Sequence, residues 1–188
     1  MADHPYREPK PEPRVATAAD ILALLRAGEV VRSLRVTEPL NLRLLADAGD
    51  CVHVPLRFVD CRLAFVDCSF SYINAPVVFT GSMLDELLAM AGYFFSGLTI
   101  ERCDIAGATN LSCGGHNHGG TSVILRDTRF GGFVDFTDNQ YEGPVHIERC
   151  QFTRGANLFG GHARGLAVKH AVPPIIEDNI GDLDASLP

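Results

Sequence analysis

The stretch CGGHNHGG (113–120) holds three residues of metal-binding type, Cys113, His116 and His118. A thiolate and two imidazoles are the sulfur and nitrogen ligands that zinc takes in tetrahedral array, with a fourth ligand or a water completing the shell. Glycines on both sides let such a loop wrap an ion. The spacing follows no established zinc pattern, and a fourth protein ligand would have to come from His162 or His170. The loop therefore reads in two ways: as a zinc site made by Cys113, His116 and His118, or as a glycine corner with exposed imidazoles.

Other chemistry is harder to assemble from this chain. Ser112 and Ser122 flank the same histidines, but no nucleophile elbow and no orienting acid accompany them. Asp60 and Asp67 could align on adjacent turns of a repeat and act as paired carboxylates, or simply form a solvated ladder. Neither a phosphate-binding P-loop nor a dinucleotide fingerprint is present. On this basis the chain is expected not to be an enzyme, with an enzymatic or zinc site at 113–120 as the competing expectation.

A further pattern concerns cysteine. The tetrapeptide IERC occurs at 100–103 and again at 147–150, within the longer matches LTIERCDIAGATNL (98–111) and VHIERCQFTRGANL (145–158). A repeated cysteine can be a ligand, a disulfide half or a nucleophile, or it can belong to the way the chain is built. The elements around it favour construction. Over 123–158 large apolar residues recur at alternating steps of five and six: Leu125, Phe130, Phe136, Tyr141, Ile147, Phe152 and Leu158. A helix would need steps of three and four. A fixed self-similarity of 22 residues, with VILRDTRFGG (123–132) over VHIERCQFTR (145–154), is the mark of a solenoid whose coil holds several short strands. The two IERC copies lie three residues beyond two such coils, and the surplus falls in 112–122, a loop bulging from one corner. Earlier, LRFVDCRL (56–63) and LAFVDCSF (63–70) repeat at seven, and 83–92 fits either an inserted helical turn or a degenerate coil.

The remaining segments bound the picture. The chain of 188 residues is long enough for one domain with a core. Residues 1–16, with four prolines and alternating charges, read as a disordered arm. Residues 17–28 read as a capping helix, with Thr17 and Asp20 as a capping box, Ile21, Leu24 and Leu25 as its apolar stripe and Gly28 ending it. The solenoid is expected over 30–160. Residues 161–188 are expected to cover the last coil or, through Leu166, Val168, Val172, Ile175 and Ile176, to form a homodimer contact; the chain then ends in an acidic tail. The net charge of −7 includes −4 from that tail, so the body has no basic footprint for nucleic acid or for a membrane. No apolar run approaches the ~18 residues of a membrane span, and the N-terminus lacks a signal-peptide pattern. A cytoplasmic protein with six reduced cysteines is the expectation.

The stretch FGGFVDFTDNQYEGPVHI (130–147), with the approaches ATNL (108–111) and GANL (155–158), resembles the degenerate, eleven-residue form of the pentapeptide-repeat proteins. The helix-then-coils opening at 17–42 is similar to theirs. The resemblance covers about 30–160 and implies an all-β, right-handed β-helix of about 20–22 residues per coil behind a short N-terminal helix. In such a coil the large central residue points inward, and so does a small residue two places before it. Cys61, Cys68, Cys103 and Cys150 then share that small slot, before Leu63, Phe70, Ile105 and Phe152, with Thr128 and Asn139 in the same place before Phe130 and Tyr141. The expected inward ladder is those four cysteines with Ile105, Phe130, Phe136, Tyr141, Ile147, Phe152 and Leu158, and Glu101-Arg102 and Glu148-Arg149 face water. For function, a rigid solenoid suits a non-enzymatic protein-binding module. Some members of the family imitate duplex DNA and bind or protect type II topoisomerases such as gyrase, which is the alternative expectation for the partner.

Overall fold

In the computed structural model, residues 12–114, 117–160 and 167–186 are described. They form a β-solenoid of about six turns, nearly all parallel strand, behind one short helix. Helix α1 (Ala18–Arg26) starts at Thr17, whose hydroxyl accepts from the Asp20 N–H while the Asp20 carboxylate accepts from the Thr17 N–H. It ends in a Schellman motif: Gly28, at φ +74°, donates to Leu25 O and Glu29 to Leu24 O. Its buried face, Ile21, Leu22 and Leu25, closes the first coil.

Three sides make each coil. The first side stacks Val31–Arg32, Leu56–Val59, Val77–Thr80, Leu98–Glu101, Val123–Arg126, Val145–Glu148 and Ile175–Glu177 in parallel. Leu56, Val77 and Leu98 stand in register at a spacing of 21 residues. The four-residue strands there alternate buried residues with half-buried or exposed ones, so one residue in two enters the core. Stacked rings fill the axis, with Phe58 on Phe79 at 4.9 Å and Phe130 on Phe152 at 5.0 Å. The second side begins with the long strands Leu34–Asn41, Arg62–Asp67 and Met83–Leu88. From the fourth coil it splits in two, Asp104–Ile105 and Thr109–Asn110, both paired to Met83–Leu88. Glycine makes the split possible, because a Cβ on Gly132 would lie 2.3 Å from Gly107 O in the coil before. The third side holds Cys51–Val52, Tyr72–Ile73 and Tyr93–Phe94, then Gln140–Tyr141 with Lys169–His170.

The corner between the first and second sides shows what the repeated cysteine does. Ser33, Asp60, Gly81, Arg102, Asp127, Arg149 and Asp178 all take left-handed backbone there, with φ between 48° and 59°. This bend turns the chain but leaves backbone polar groups of the next residues to be satisfied. The next residue is small in every coil from the second on: Cys61, Ser82, Cys103, Thr128, Cys150, Asn179. Cysteine alternates with an oxygen-bearing side chain, and the oxygen accepts from the cysteine N–H below it: Cys61 to Ser82 Oγ at 3.1 Å, Cys103 to Thr128 Oγ1 at 3.2 Å, Cys150 to Asn179 Oδ1 at 2.8 Å. The thiols of Cys61, Cys103 and Cys150 point at the carbonyls two residues back. The slot is thus both a small apolar site and a column of hydrogen bonds.

Several expected boundaries move. Residues 1–11 of the expected arm lie outside the described residues, but Arg14–Val15 is a strand paired to Leu34–Arg35, so the stack starts before the helix. The segment 83–92 is a coil, with Met83–Leu88 as strand, because its apolar residues Leu84 and Leu87 match Leu63 and Val66 one turn earlier. The stack also runs past residue 160: Ile175–Glu177 pairs with His146–Glu148 and adds a last rung. Val168 and Ile176 pack on the core, Val172 and Ile175 are exposed, and Leu166 lies outside the described residues. Asp60 and Asp67 do not stack on one another. Asp60 sits at the left-handed corner, whereas Asp67 aligns with Asn41 and Leu88 at the far end of the second side. The seven-residue step separates successive corners of one coil rather than adjacent coils. Among the described residues no helix is long and apolar enough to cross a membrane.

Candidate functional site

The third side carries an outward-facing aromatic ladder, with Tyr72 exposed and Tyr93 and Phe95 half-buried. Tyr72 and Tyr93 are register partners on adjacent coils, with rings 5.0 Å apart. Phe95 lies 5.9 Å from Tyr93 and 6.2 Å from Tyr72, and the His118 imidazole stacks on Phe95 at 4.5 Å with the planes 12° apart. Strand alternation explains the placement: Ile73 and Phe94 point into the core, so Tyr72, Tyr93 and Phe95 point out. Around the adjoining corner Phe70 and Met90, joined by the Phe70 N–H to Met90 O bond, extend the apolar surface; Phe70 is 53 % exposed and Tyr72 43 %.

The glycine–histidine loop forms the far end of this ladder. It belongs to a lengthened coil, in which Leu98 to Val123 spans 25 residues against 21 or 22 in its neighbours, so the surplus chain bulges here. Buried Asn117 anchors it. Its amide donates to Thr121 O and Pro144 O, and its carbonyl accepts from Gly143 N–H. Gly143 must be glycine, since a Cβ there would stand 2.2 Å from Thr121 O and 2.8 Å from the Asn117 amide. Between the loop and the next coils lies a pocket of about 370 Å³ lined by Tyr93, Phe95, Cys113, His118, Glu142 and Lys169 among others. Beneath it Asn139 donates to Leu111 O and Tyr141 Oη and accepts from Gly114 N–H. Burial pushes the Tyr141 phenol up, and burial holds the His170 imidazole, stacked on Tyr141, below its usual range.

Of the three residues considered as zinc ligands, Cys113 and His118 line this pocket, with His118 Nδ1 3.9 Å from Glu142 Oε2, and His116 lies outside the described residues. The His, Cys, Asp and Glu side chains that converge as a trio among the described residues are instead Asp47, Cys51 and His53, at the N-terminal end of the third side. Ser112 is buried and its hydroxyl donates to Asn110 Oδ1. Cys61, Cys68, Cys103 and Cys150 are buried, and desolvation raises their thiols, to about 12 at Cys68 and about 11 at Cys103 and Cys150. Ile105, Phe130, Phe136, Tyr141, Ile147, Phe152 and Leu158 lie in the same core. The aromatic ladder was missed in the sequence. Its signal is the 21-residue match of SYIN (71–74) to GYFF (92–95).

The residues of IERC that face water form a checkerboard. Glu101-Arg102, Arg126-Asp127 and Glu148-Arg149 occupy the same two positions of successive coils. Arg126 grips Glu148 with two bonds of 3.0 and 3.1 Å, and Arg149 grips Asp127 with two of 2.6 and 2.9 Å. These guanidinium contacts hold the Asp127 and Glu148 carboxyls below their ordinary values.

No family model, no curated protein and no solved structure matches the chain.

Proposed function

We propose that the protein is a rigid, non-enzymatic scaffold that binds a protein partner through its third side. The observation that carries this reading is the apolar surface made by exposed Phe70, Tyr72 and Met90 with half-buried Tyr93 and Phe95, ended by His118. Isolated exposed apolar residues are ordinary, but a patch that continues across coils and is rimmed by polar groups marks an interaction surface. Tyrosine is favoured at such surfaces because it buries a large rigid area and keeps a polar tip. The hydrogen-bonded corners hold the ladder in place before binding, which lowers the entropy lost on association. The resemblance to pentapeptide-repeat proteins adds a scaffold role to this reading. Imitation of duplex DNA would ask for an unbroken acidic face, whereas the first corner is neutral at Ser33 and Gly81 and mixes signs elsewhere: Asp60, Arg102, Asp127, Arg149, Asp178.

The test compares partners captured from a lysate of the source organism by the wild-type chain, by Tyr72→Ala/Tyr93→Ala and by Asp104→Ala/Arg129→Ala on the second side. Interface aromatics at hot spots contribute about 2 kcal/mol or more, so the tyrosine variant should lose its partner roughly 30-fold while the second-side variant keeps it. Retention of the same partner by the tyrosine variant would remove the third side from the account.

A further inference from the structure

At the N-terminal end of the third side, Asp47, Cys51 and His53 bring one carboxylate oxygen, one thiol and one imidazole nitrogen within 4.8 Å of one another. The local sequence D-x3-C-x-H makes this arrangement from two elements. Cys51 and His53 flank Val52, whose side chain is fully buried, so strand alternation turns both to the outside of the same side. Asp47 comes from the turn that follows the 3-10 helix Leu42–Leu45. That turn is closed by hydrogen bonds. Asp47 N–H donates to Cys51 O at 3.0 Å, and Asp50, at φ +58°, donates to Asp47 O at 3.1 Å. The Asp47 carboxylate is itself held. Its Oδ1 accepts from Gly49 N–H at 2.8 Å and Cys51 N–H at 3.1 Å, which leaves Oδ2 facing His53 Nε2 at 3.2 Å.

We propose that Asp47, Cys51 and His53 form a zinc site. The chemistry of the set selects the ion: a thiolate and an imidazole favour a borderline-soft ion over calcium or magnesium, and a carboxylate is a common third ligand. Zinc bonds of 2.0–2.3 Å put tetrahedral ligand atoms roughly 3.3–3.8 Å apart. The trio therefore has to contract by about 1 Å at its widest, within reach of rotamer changes in His53 and Cys51. The turn supplies what such sites need beyond ligands, since backbone N–H groups already orient the carboxylate. The fourth position lies on the solvent side, where the His53 and Asp47 side chains are 59 % and 54 % exposed. The site sits beside Tyr72, the register partner of Cys51, but it does not depend on the partner-binding reading and fails or stands separately from it.

The experiment loads the full chain with Zn²⁺ in competition with a chromophoric chelator, and separately with Co²⁺ to read ligation from its absorption spectrum. The wild type should bind one ion at this site and, with Co²⁺, show a thiolate-to-metal charge-transfer band. Cys51→Ser should abolish the band and weaken Zn²⁺ binding at least ~10-fold, and His53→Gln and Asp47→Asn should each weaken it by a similar factor. Cys113→Ser/His118→Ala should leave both readouts unchanged. His53→Gln changes an exposed side chain, so it keeps the test decisive even if Cys51→Ser fails to fold. A wild-type chain that binds no ion, a band that survives Cys51→Ser, binding unaffected by His53→Gln, or binding lost with Cys113→Ser/His118→Ala would each overturn the assignment.

Discussion

The His118 imidazole lies on the Phe95 ring with centroids 4.5 Å apart, and this contact joins the tip of the lengthened coil to the coil before it. It holds because Asn117, the preceding residue, is buried and bonded to Thr121, Pro144 and Gly143. The aromatic ladder therefore depends on the backbone packing around Gly143.

Gly143→Ala is expected to destabilise the protein by about 1–3 kcal/mol, because the added methyl meets the Thr121 and His118 carbonyl oxygens and the Asn117 amide, which its own hydrogen bonds hold in place. Chemical denaturation gives the loss. The His118 ring protons, shifted by Phe95 in the native state, should move toward random-coil positions in the same variant. His118→Ala removes only an exposed group and should change stability by less than ~0.5 kcal/mol.

Thiol reactivity separates the structural cysteines from the accessible ones. Cys51 is half-buried and Cys113 exposed, whereas Cys61, Cys68, Cys103 and Cys150 are buried and their thiols are raised by desolvation. A disulfide reagent added to the native protein should modify two of the six cysteines and the remaining four only on unfolding. Cys150→Ala should cost on the order of 1 kcal/mol, and Cys150→Arg should unfold the chain by burying an unpaired charge. Rapid native modification of Cys150 would contradict its place in the corner slot.

The checkerboard predicts an acid limb of known sign. Asp127 and Glu148 have folded-state values depressed by Arg149 and Arg126. The stability they contribute is present above their unfolded values near 3.8 and 4.5 and is lost as pH falls through and below that window. Melting temperature should therefore fall as pH drops below about 4.5, and only modestly, because both ion pairs are screened by solvent. Asp127→Asn/Glu148→Gln should melt lower at pH 7 and show a flatter acid limb, and added salt should reduce the difference. His170 acts a step earlier. Burial depresses it, so protonating the unfolded chain as pH falls below about 6.5 costs stability, and His170→Phe should remove that shallower slope.

The solenoid was legible because its core demands recur in the sequence. Phe130, Phe136, Ile147 and Phe152 keep their spacing wherever the coil keeps 22 residues, and Cys61, Cys103 and Cys150 stand two places before a large inward residue, whereas Cys68, expected in the same slot, precedes Phe70, which sits at a left-handed corner and faces solvent. The aromatic side was not legible from that frame. Tyr72 and Tyr93 lie in 21-residue coils divided into sevens, where the second side is a single long strand, and the eleven-residue rhythm does not reach them. The Asp47–Cys51–His53 trio was hidden for a different reason. Its convergence needs the left-handed Asp50 and a turn closed by side-chain bonds, which no periodicity announces. Arg14–Val15 reads as arm by composition, yet its backbone finds an open edge on Leu34–Arg35.

The most direct test of the central claim is the side-by-side capture with wild type, Tyr72→Ala/Tyr93→Ala and Asp104→Ala/Arg129→Ala, quantified by mass spectrometry after each variant is shown to melt as the wild type does. A protein enriched by the wild type and the second-side variant and lost roughly 30-fold by the tyrosine variant is the predicted result. A partner retained equally by all three chains would contradict the account, since the aromatic third side would then contribute nothing to recognition.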